Sequence, residues 1–255
     1  MHSILNLIKN FTEVVFPLLC PLCVKNEQVR GSQSCGFCKN CLNDFTSITS
    51  PICKKCGVPF SFETGTNHHC GDCLKNESKN NKNTFTAARS TYIHSGSLAR
   101  AIRAFKYSGQ MNISPALSTI FAVSAKDIFN EFNLTDCIVQ PVPLHKRRLR
   151  ERGFNQSLVL ARSASKTLDL ALDFSTLLRI KDTPPQVRLG SIEREKNVRG
   201  AFDVRDSRRI QGKKILLIDD VYTTGATVRE CTKVLKKAGA TEVFILTLAR
   251  AAWTS

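Results

Sequence analysis

The chain has 255 residues, 42% of them hydrophobic, which excludes a disordered protein and suffices for one ordinary domain plus a small appendage. Lysine and arginine together number 37 against 21 acidic residues, so the formal net charge is +16. A field of that sign favours nucleic acid, phosphorylated metabolites or an anionic membrane surface as partners, unless it is a general surface property with no specific partner.

The first 17 residues, MHSILNLIKNFTEVVFP, carry apolar side chains at mostly helical spacing, but polar and charged residues interrupt them. The stretch is too polar for a signal-peptide core and far short of the about 18 to 20 apolar residues that span a membrane. We therefore expect a cytoplasmic protein. Thiols stay reduced in that compartment, so clustered cysteines are expected to bind metal rather than form disulfides.

Cysteines are concentrated near the N-terminus, where nine of the eleven lie between Cys20 and Cys73. Two residues between cysteines let both sulfurs of a tight turn point at one ion, and two such knuckles complete the tetrahedral site that zinc prefers. The four knuckles predict one or two closed, structural zinc sites. The predicted ligands are Cys20, Cys23, Cys38, Cys41, Cys53, Cys56, Cys70 and Cys73.

The spacing leaves the pairing of the knuckles open. Cys35 offers an alternative pair with Cys38, and His68 and His69 lie beside Cys70 either as substitute ligands or as solvated loop residues. A ribbon with the sequence CKKC and flanking lysines can also contact nucleic acid, although many zinc ribbons are scaffolds only. Both interpretations of the ribbon remain open at this point.

The stretch KNESKNNKNT, residues 75–84, is polar and almost free of apolar side chains. Such a composition is typical of a linker or an exposed loop. We place a domain boundary near residue 82. It separates a cysteine-rich zinc-binding region over residues 1–82 from a second domain over residues 83–255.

Segments after the linker alternate between helix and strand. They are a helix over 97–107, a strand over 136–143, a helix over 155–168 that Asn155 caps, a strand over 213–220, a helix over 227–240 and a strand over 242–250. The last two strands are apolar enough to be buried on both faces of a parallel sheet. This order predicts an α/β fold with a Rossmann-like, doubly wound, mainly parallel sheet, whose ligands lie outside the carboxyl ends of the strands.

The stretch DDVYTTGAT, residues 219–227, puts Asp219 and Asp220 at the end of a predicted strand. The following residues turn into a helix that is expected to begin near Thr227. A helix N-terminus with a glycine and hydroxyl side chains holds a phosphate, whereas two carboxylates repel one. The pattern fits a ribose diol on the acids and a 5'-phosphate on the turn. That turn comprises Val221, Tyr222, Thr223, Thr224, Gly225, Ala226 and Thr227.

Two other interpretations of this stretch are weaker. An apolar strand that ends in two aspartates is also typical of the Walker B strand of an ATPase, but no Gly-x-x-x-x-Gly-Lys-Ser/Thr occurs in the chain. The strand and turn can also arise without any ligand.

DDVYTTGAT resembles the signature of the type I phosphoribosyltransferases, in which two acids hold the ribose hydroxyls of phosphoribosyl pyrophosphate and the next loop binds its 5'-phosphate. The chain also resembles the ComF (ComFC) family from Cys20 to Arg250. The segments that carry this resemblance are PVPLHKRRLRERGFNQS (141–157), RIKDTPPQVRLGSIEREKNVRGAF (179–202), the four knuckles and the terminal LAR. The resemblance implies a zinc-binding region on a type I phosphoribosyltransferase domain and a role in natural transformation, when single-stranded DNA enters the cytoplasm.

The run from His145 to Arg152 has five basic side chains against the single acid Glu151. It follows a strand ended by prolines, so we expect a loop on the ligand side of the sheet. In the resembling transferases the corresponding loop handles pyrophosphate; a solvated basic loop and a groove for single-stranded DNA are the alternatives. The basic residues are Lys146, Arg147, Arg148, Arg150 and Arg152.

A polar stretch with Thr183, Gln186, Arg194 and Asn197 is long for a connection. Long loops in such domains are often lids, and the family resemblance favours a mobile flap over the site, completed by Arg194. An ordinary exposed loop is the alternative. Residues 85–113 are the candidate for a base-binding hood, which would place Lys106 near the mouth.

Two functions follow. In the first, the protein is a phosphoribosyltransferase of unspecified acceptor: Asp219, Asp220 and Arg194 are its predicted catalytic residues, and Mg²⁺ accompanies the phosphoribosyl pyrophosphate. In the second, the pocket is only a sensor or relic. The protein then binds single-stranded DNA and passes it to competence helicase or recombination proteins.

Overall fold

A computed structural model describes residues 19–24, 36–61, 64–77, 84–107, 111–184 and 190–252. Its strands are β1 (Ala87–Ile93), β2 (Cys137–Pro141), β3 (Leu177–Arg179), β4 (Phe202–Val204), β5 (Lys214–Tyr222) and β6 (Glu242–Arg250). Its helices are α1 (Lys39–Asn43), α2 (Gly71–Glu77), α3 (Gly96–Tyr107), α4 (Ser114–Phe132), α5 (Lys146–Arg152), α6 (Gln156–Leu168), α7 (Ser191–Val198) and α8 (Ala226–Lys237). Short 3-10 turns lie at Met111–Ile113 and Ser207–Arg209.

A parallel sheet of four strands, in the order β1-β6-β5-β2, forms the centre of the fold. Successive side chains of β5 alternate between two buried clusters: Leu216 and Ile218 join one, Ile215 and Leu217 the other. Helices α4 and α6 pack on the first face and α8 on the second. The predicted doubly wound α/β sheet, with strands buried on both faces, is therefore confirmed.

The cysteine-rich region covers the free edge of β1. The Ile48 amide donates to the Thr91 carbonyl at 3.0 Å, and the Ala88 amide donates to the Lys55 carbonyl at 2.7 Å. An uncovered edge strand presents unpaired amides and carbonyls that invite pairing with other chains. The ribbon satisfies these groups, so it is part of the same folded unit as the sheet.

Cysteines of different knuckles pack against different faces of the sheet. Cys20 and Cys38 belong to the buried cluster that contains α3 and α4. Cys53 and Cys73 belong to the one that contains α8. The region therefore straddles the β1 edge and contributes to both hydrophobic cores.

Residues Lys146–Arg152 of the basic run form a helix, so the prediction of a loop there is wrong. The His145 ring nitrogen accepts a bond from the Arg147 amide at 3.4 Å, and Gly153, with φ of 82°, ends the helix in the left-handed region. An ion pair between Arg147 and Glu151, one turn apart, adds a small stabilisation. The sequence contains both helix signals, a capping side chain at His145 and a terminating glycine at Gly153, but the prediction rested on the charge of the run alone.

Part of the stretch 179–202, predicted as a loop, is helical. Helix α7 occupies Ser191–Val198, and the amide of Gly190 donates to the Glu193 carboxylate at 3.0 Å. Strands β3 and β4 flank the stretch as an antiparallel pair that the sequence pattern did not predict. Gln186 lies outside the described residues.

Other predictions fall outside the described residues as well. The N-terminal stretch over 1–17, Cys35 and the domain boundary near residue 82 lie there. Among the described residues, no helix combines the length and the apolar character that a membrane crossing requires.

A substitution at Gly57 tests whether the ribbon is packed tightly against the sheet. Its φ is +69°, and a Cβ there would lie 2.4 Å from the Ala88 carbonyl oxygen. Gly212, with φ of +73° and open space around it, is the matched control. We expect Gly212→Ala to cost roughly 1 kcal/mol through its backbone alone. Gly57→Ala should cost about 1–3 kcal/mol more, because the carbonyl belongs to a strand and cannot move away.

Urea unfolding of the two variants and the parent measures both costs. Equal destabilisation by the two substitutions would show that the ribbon does not press on β1 at this point.

Candidate functional site

A cavity of about 420 Å³ opens beyond the carboxyl ends of β1, β2 and β5. This is the edge at which open α/β sheets bind their ligands. Predicted residues from four separate segments meet there, which the sequence alone does not require. Those that line it are Lys106, Arg148, Arg152, Thr183, Arg194, Asp219, Asp220, Val221, Thr223 and Thr227.

The two acids at the end of β5 have different partners. Asp220 is 5% exposed, and its Oδ2 atom lies 2.5 Å from the Lys106 ammonium. The Oδ1 atom of Asp219 accepts bonds from the Ser157 hydroxyl and from the Asp220 amide, each at 2.9 Å. One carboxylate is thus neutralised by a cation and the other is fixed in orientation by neutral donors.

Burial and, after it, the negative charge of Asp220 raise the pKa of Asp219 to about 7, against the lowering effect of Lys106. The carboxyl therefore changes its charge near neutral pH. A group with a raised pKa at the bottom of a cavity is a common mark of a functional site.

The turn that follows the acids has the geometry of an anion site. Helix α8 begins at Ala226, one residue earlier than expected, and Gly225 takes φ of +76° as its N-cap. The N-terminus of the helix supplies amides and the positive end of its dipole. Hydroxyl-bearing Thr223 and Thr227 line the cavity beside it. The carbonyl oxygen of Thr224 accepts a hydrogen bond from the Arg229 guanidinium at 2.8 Å.

Tyr222 supports this turn from behind. It is 4% exposed, and burial raises the pKa of its hydroxyl to about 12. A Cβ on Gly225 would lie 2.3 Å from the Tyr222 hydroxyl oxygen. The glycine is required both for the left-handed backbone and for this close approach.

The predicted basic residues of helix α5 lie in different surroundings. Arg148 and Arg152 line the cavity, whereas Lys146 borders a neighbouring groove. Arg147 is exposed and pairs with Glu151 and, at 3.2 Å, with Asp182. Arg150 is exposed as well.

The polar residues of the cavity that were not predicted include His94, Gln156, Ser157 and Arg179. Burial and the charge of Lys106 lower the pKa of His94. Gln156 is 5% exposed, and its Oε1 atom has no hydrogen-bond partner in the described part of the chain. Gln156 and Ser157 begin α6 directly after the Asn155 cap. Their position in the first turn of a predicted helix was the signal that could have revealed them.

The neighbouring groove has a volume of about 740 Å³ and a different character. Leu149, Phe174 and Ile180 line it and expose 42%, 57% and 53% of their surface. Single exposed apolar residues are ordinary, but three at one groove form a patch. Its basic lining residues include Lys146, Arg162 and Arg205.

The eight knuckle cysteines form two clusters, and within each the four sulfurs lie within 4.8 Å of one another. The first and second knuckles make one cluster, the third and fourth the other, which settles the pairing. Zinc–sulfur bonds of about 2.3 Å in a tetrahedron place sulfurs about 3.8 Å apart. The distances of 3.6 Å for Cys23–Cys38 and 3.7 Å for Cys56–Cys70 fit that geometry.

Both clusters are complete with sulfur alone. A site with four thiolates has no open coordination position, so these are structural zinc sites. His68 is not needed as a ligand: its ring stacks on Phe60 with 4.0 Å between centroids.

Two protein families match the chain. The double zinc ribbon domain matches residues 11–74, and the phosphoribosyl transferase domain matches residues 155–253. The first covers both cysteine clusters, and the second covers the acids, the turn and most of the cavity wall. The predicted fold, a type I phosphoribosyltransferase domain with an N-terminal zinc ribbon, is therefore confirmed.

Whole proteins also match along most of their length. Competence protein F of Haemophilus influenzae is 32% identical over 219 residues, 85% of this chain and 91% of that protein. The DNA utilization protein YhgH of Escherichia coli is 31% identical over 84% of this chain and 90% of its own. Competence protein ComFC of Bacillus subtilis is 27% identical over 84% and 83%.

The raised pKa of Asp219 predicts how stability depends on pH. In the folded state this carboxyl holds its proton up to about pH 7, whereas its ordinary pKa is 3.8, so its contribution to stability should fall as the pH rises between these values. Asp219→Asn keeps an oxygen for Ser157 and removes the charge. We expect the melting temperature of this variant, relative to wild type, to be higher at pH 8 than at pH 5.

Asp203→Asn, at an exposed position of β4, is the control for the loss of a surface carboxylate. A pH-independent offset for Asp219→Asn would contradict the assignment.

Proposed function

The chain belongs to the competence protein F (ComFC) family, and from that premise we propose that it binds phosphoribosyl pyrophosphate with Mg²⁺ in the cavity beyond β5. The observation that supports this most is a single one: two carboxylates and a phosphate-type helix N-terminus share one cavity. Asp219 and Asp220 would accept bonds from the two ribose hydroxyls. The turn from Thr223 to Thr227 would hold the 5'-phosphate.

Lys106 is part of this binding step. In the free protein its ammonium offsets the charge of Asp220 at 2.5 Å. Ribose hydroxyls that reach Asp220 would replace that contact, and Lys106 would be released toward the anionic ligand. The exchange keeps the buried carboxylate partnered throughout.

Arg148, Arg152 and Arg194 are the candidates for the pyrophosphate, because all three line the same cavity. When the bond from ribose C1 to pyrophosphate breaks, negative charge grows on the leaving group and positive charge on the sugar. The arginines would stabilise the first of these. Carboxylate oxygens are ligands that Mg²⁺ accepts, and the ion supplies further neutralisation of pyrophosphate when bound. An acceptor nucleophile then forms the new bond to C1.

Calorimetric titration with phosphoribosyl pyrophosphate and Mg²⁺ tests the pocket. We expect wild type to bind. The Asp219→Asn/Asp220→Asn double variant should lose binding, because a carboxamide oxygen accepts a hydrogen bond from a ribose hydroxyl less strongly than a carboxylate oxygen does. Asp203→Asn is the control and should bind as wild type does.

No binding by wild type would overturn the proposal. Release of pyrophosphate with candidate nucleobases then distinguishes a transferase from a protein that only binds the ligand.

A second function has its own support in the groove beside α5. We propose that single-stranded DNA lies there, as expected for a protein that handles incoming DNA in natural transformation and passes it to helicase or recombination partners. Phe174 offers a ring on which a base can stack, and Lys146, Arg162 and Arg205 offer charge for the backbone. The two functions use adjoining sites and are compatible.

Phe174→Ala tests this groove. We expect it to weaken binding of a short oligonucleotide by about 1–3 kcal/mol, the usual contribution of one stacked base. Affinity should also fall steeply with salt because phosphates are contacted. Val123→Ala, at a residue on α4 that is 62% exposed, is the control. Equal binding by wild type and both variants, measured by fluorescence anisotropy, would exclude the groove.

A further inference from the structure

Arg250, the last residue of β6, is a charged side chain that the proposed binding of ligand does not use. It is 3% exposed. A buried guanidinium requires compensation, because removal of a charge from water costs several kcal/mol unless partners replace the solvent. The identity of its partners therefore indicates its role.

One partner is Cys56 of the second cysteine cluster, which comprises Cys53, Cys56, Cys70 and Cys73. The other is Tyr222, which supports the turn at 223–227, called the phosphate turn below. The guanidinium donates to the Cys56 carbonyl at 2.8 Å and lies 3.8 Å from the Cys56 sulfur. It also lies over the ring of Tyr222, 4.3 Å from the centroid. One side chain thus contacts a zinc ligand and the residue that supports Gly225 from behind.

Charge explains the first contact. A zinc ion with four thiolates carries a net charge of −2, and in this cluster Cys53, Cys56 and Cys73 are at most 9% exposed. Water can stabilise only part of such a charge, since Cys70 is the one half-buried member of the cluster, and a guanidinium beside one sulfur offsets more of it. Groups in the second coordination shell commonly set metal affinity in this way.

Geometry explains the second contact. Tyr222 and Arg250 are direct neighbours in the parallel register of β5 and β6. The Ala251 amide donates to the Tyr222 carbonyl at 2.9 Å, so the chain beyond β6 is bound to the same residue. A cation over an aromatic face adds attraction that depends on the ring staying in place. The turn at 223–227 is held from this side.

We propose that Arg250 is a positioning residue that couples the second zinc site to the phosphate turn. It compensates the zinc–thiolate charge with one side of its guanidinium and fixes Tyr222 with its planar face. Loss of zinc from this site then loosens the turn, and loss of Arg250 weakens both the zinc site and ligand binding. The coupling to ligand rests on the proposed binding of phosphoribosyl pyrophosphate; the coupling to zinc does not.

Zinc release into excess chelator, followed with a colorimetric zinc indicator on the full chain, tests the zinc half. With one ion in each of the two clusters, we expect Arg250→Gln to release one of them about 10–100-fold more readily than wild type. Arg250→Lys keeps the charge but loses the planar fork, so its release should be intermediate. This partial rescue distinguishes charge compensation from simple packing.

Arg89→Gln is a matched control. Arg89 also lies on a strand and over an aromatic ring, 4.9 Å from the Phe132 centroid, but its charge is paired with Glu131. Its contact with the ribbon is one bond to the Lys54 carbonyl, at 3.2 Å. Zinc release from this variant should match that of wild type.

The outcomes separate cleanly. Wild-type release rates in both Arg250 variants would overturn the proposal, and so would equally fast release from Arg89→Gln. If Arg250→Gln does not fold, the comparison of Arg250→Lys with wild type decides alone.

Titration with phosphoribosyl pyrophosphate then tests the second half: affinity should fall in the order wild type, Arg250→Lys, Arg250→Gln. Unchanged affinity in both variants would overturn the coupling to the turn. Absence of binding by wild type would instead refute the proposed function and leave the zinc half standing.

Discussion

The parallel pairing of β5 with β6 fixes where the charged groups of this molecule meet. In that register Asp219 lies beside Thr247, and Tyr222 beside Arg250. Because both strands end at one edge of the sheet, the acids line the cavity while Arg250 reaches the second cysteine cluster. A shift of register by one residue would reverse the two faces and separate these groups. The candidate site and the cluster of Cys53, Cys56, Cys70 and Cys73 thus depend on the same backbone hydrogen bonds.

The zinc ribbon has a structural reason to be attached to this sheet. Strand β1 is an edge strand, and the ribbon satisfies its outer amides and carbonyls. From there the two cysteine clusters reach opposite faces, one near α3 and one near α8. Asp44 of the ribbon also accepts the Ser97 amide at 2.7 Å at the start of α3, the helix that carries Lys106. The ribbon therefore supports both walls of the candidate site.

Local signals made much of this predictable. The apolar run of β5, the Asn155 cap, whose side chain accepts from the Ser157 amide at 3.0 Å, and the four Cys-x-x-Cys knuckles each follow from neighbouring residues. The rest depended on long-range contacts. Strand β1, with the polar run Arg89 to Thr91, is formed by pairing with β6, over 150 residues away in sequence. The contact of Lys106 with Asp220 arises only after the sheet has assembled.

The most direct test of the account is a crystal structure of the protein with phosphoribosyl pyrophosphate and Mg²⁺. We predict the ribose hydroxyls within hydrogen-bond distance of the Asp219 and Asp220 carboxylates, with Lys106 withdrawn from Asp220. The 5'-phosphate should lie on the amides and hydroxyls between Thr223 and Thr227. A ligand bound with its phosphate away from this turn, or a cavity that excludes the ligand, would contradict the central claim.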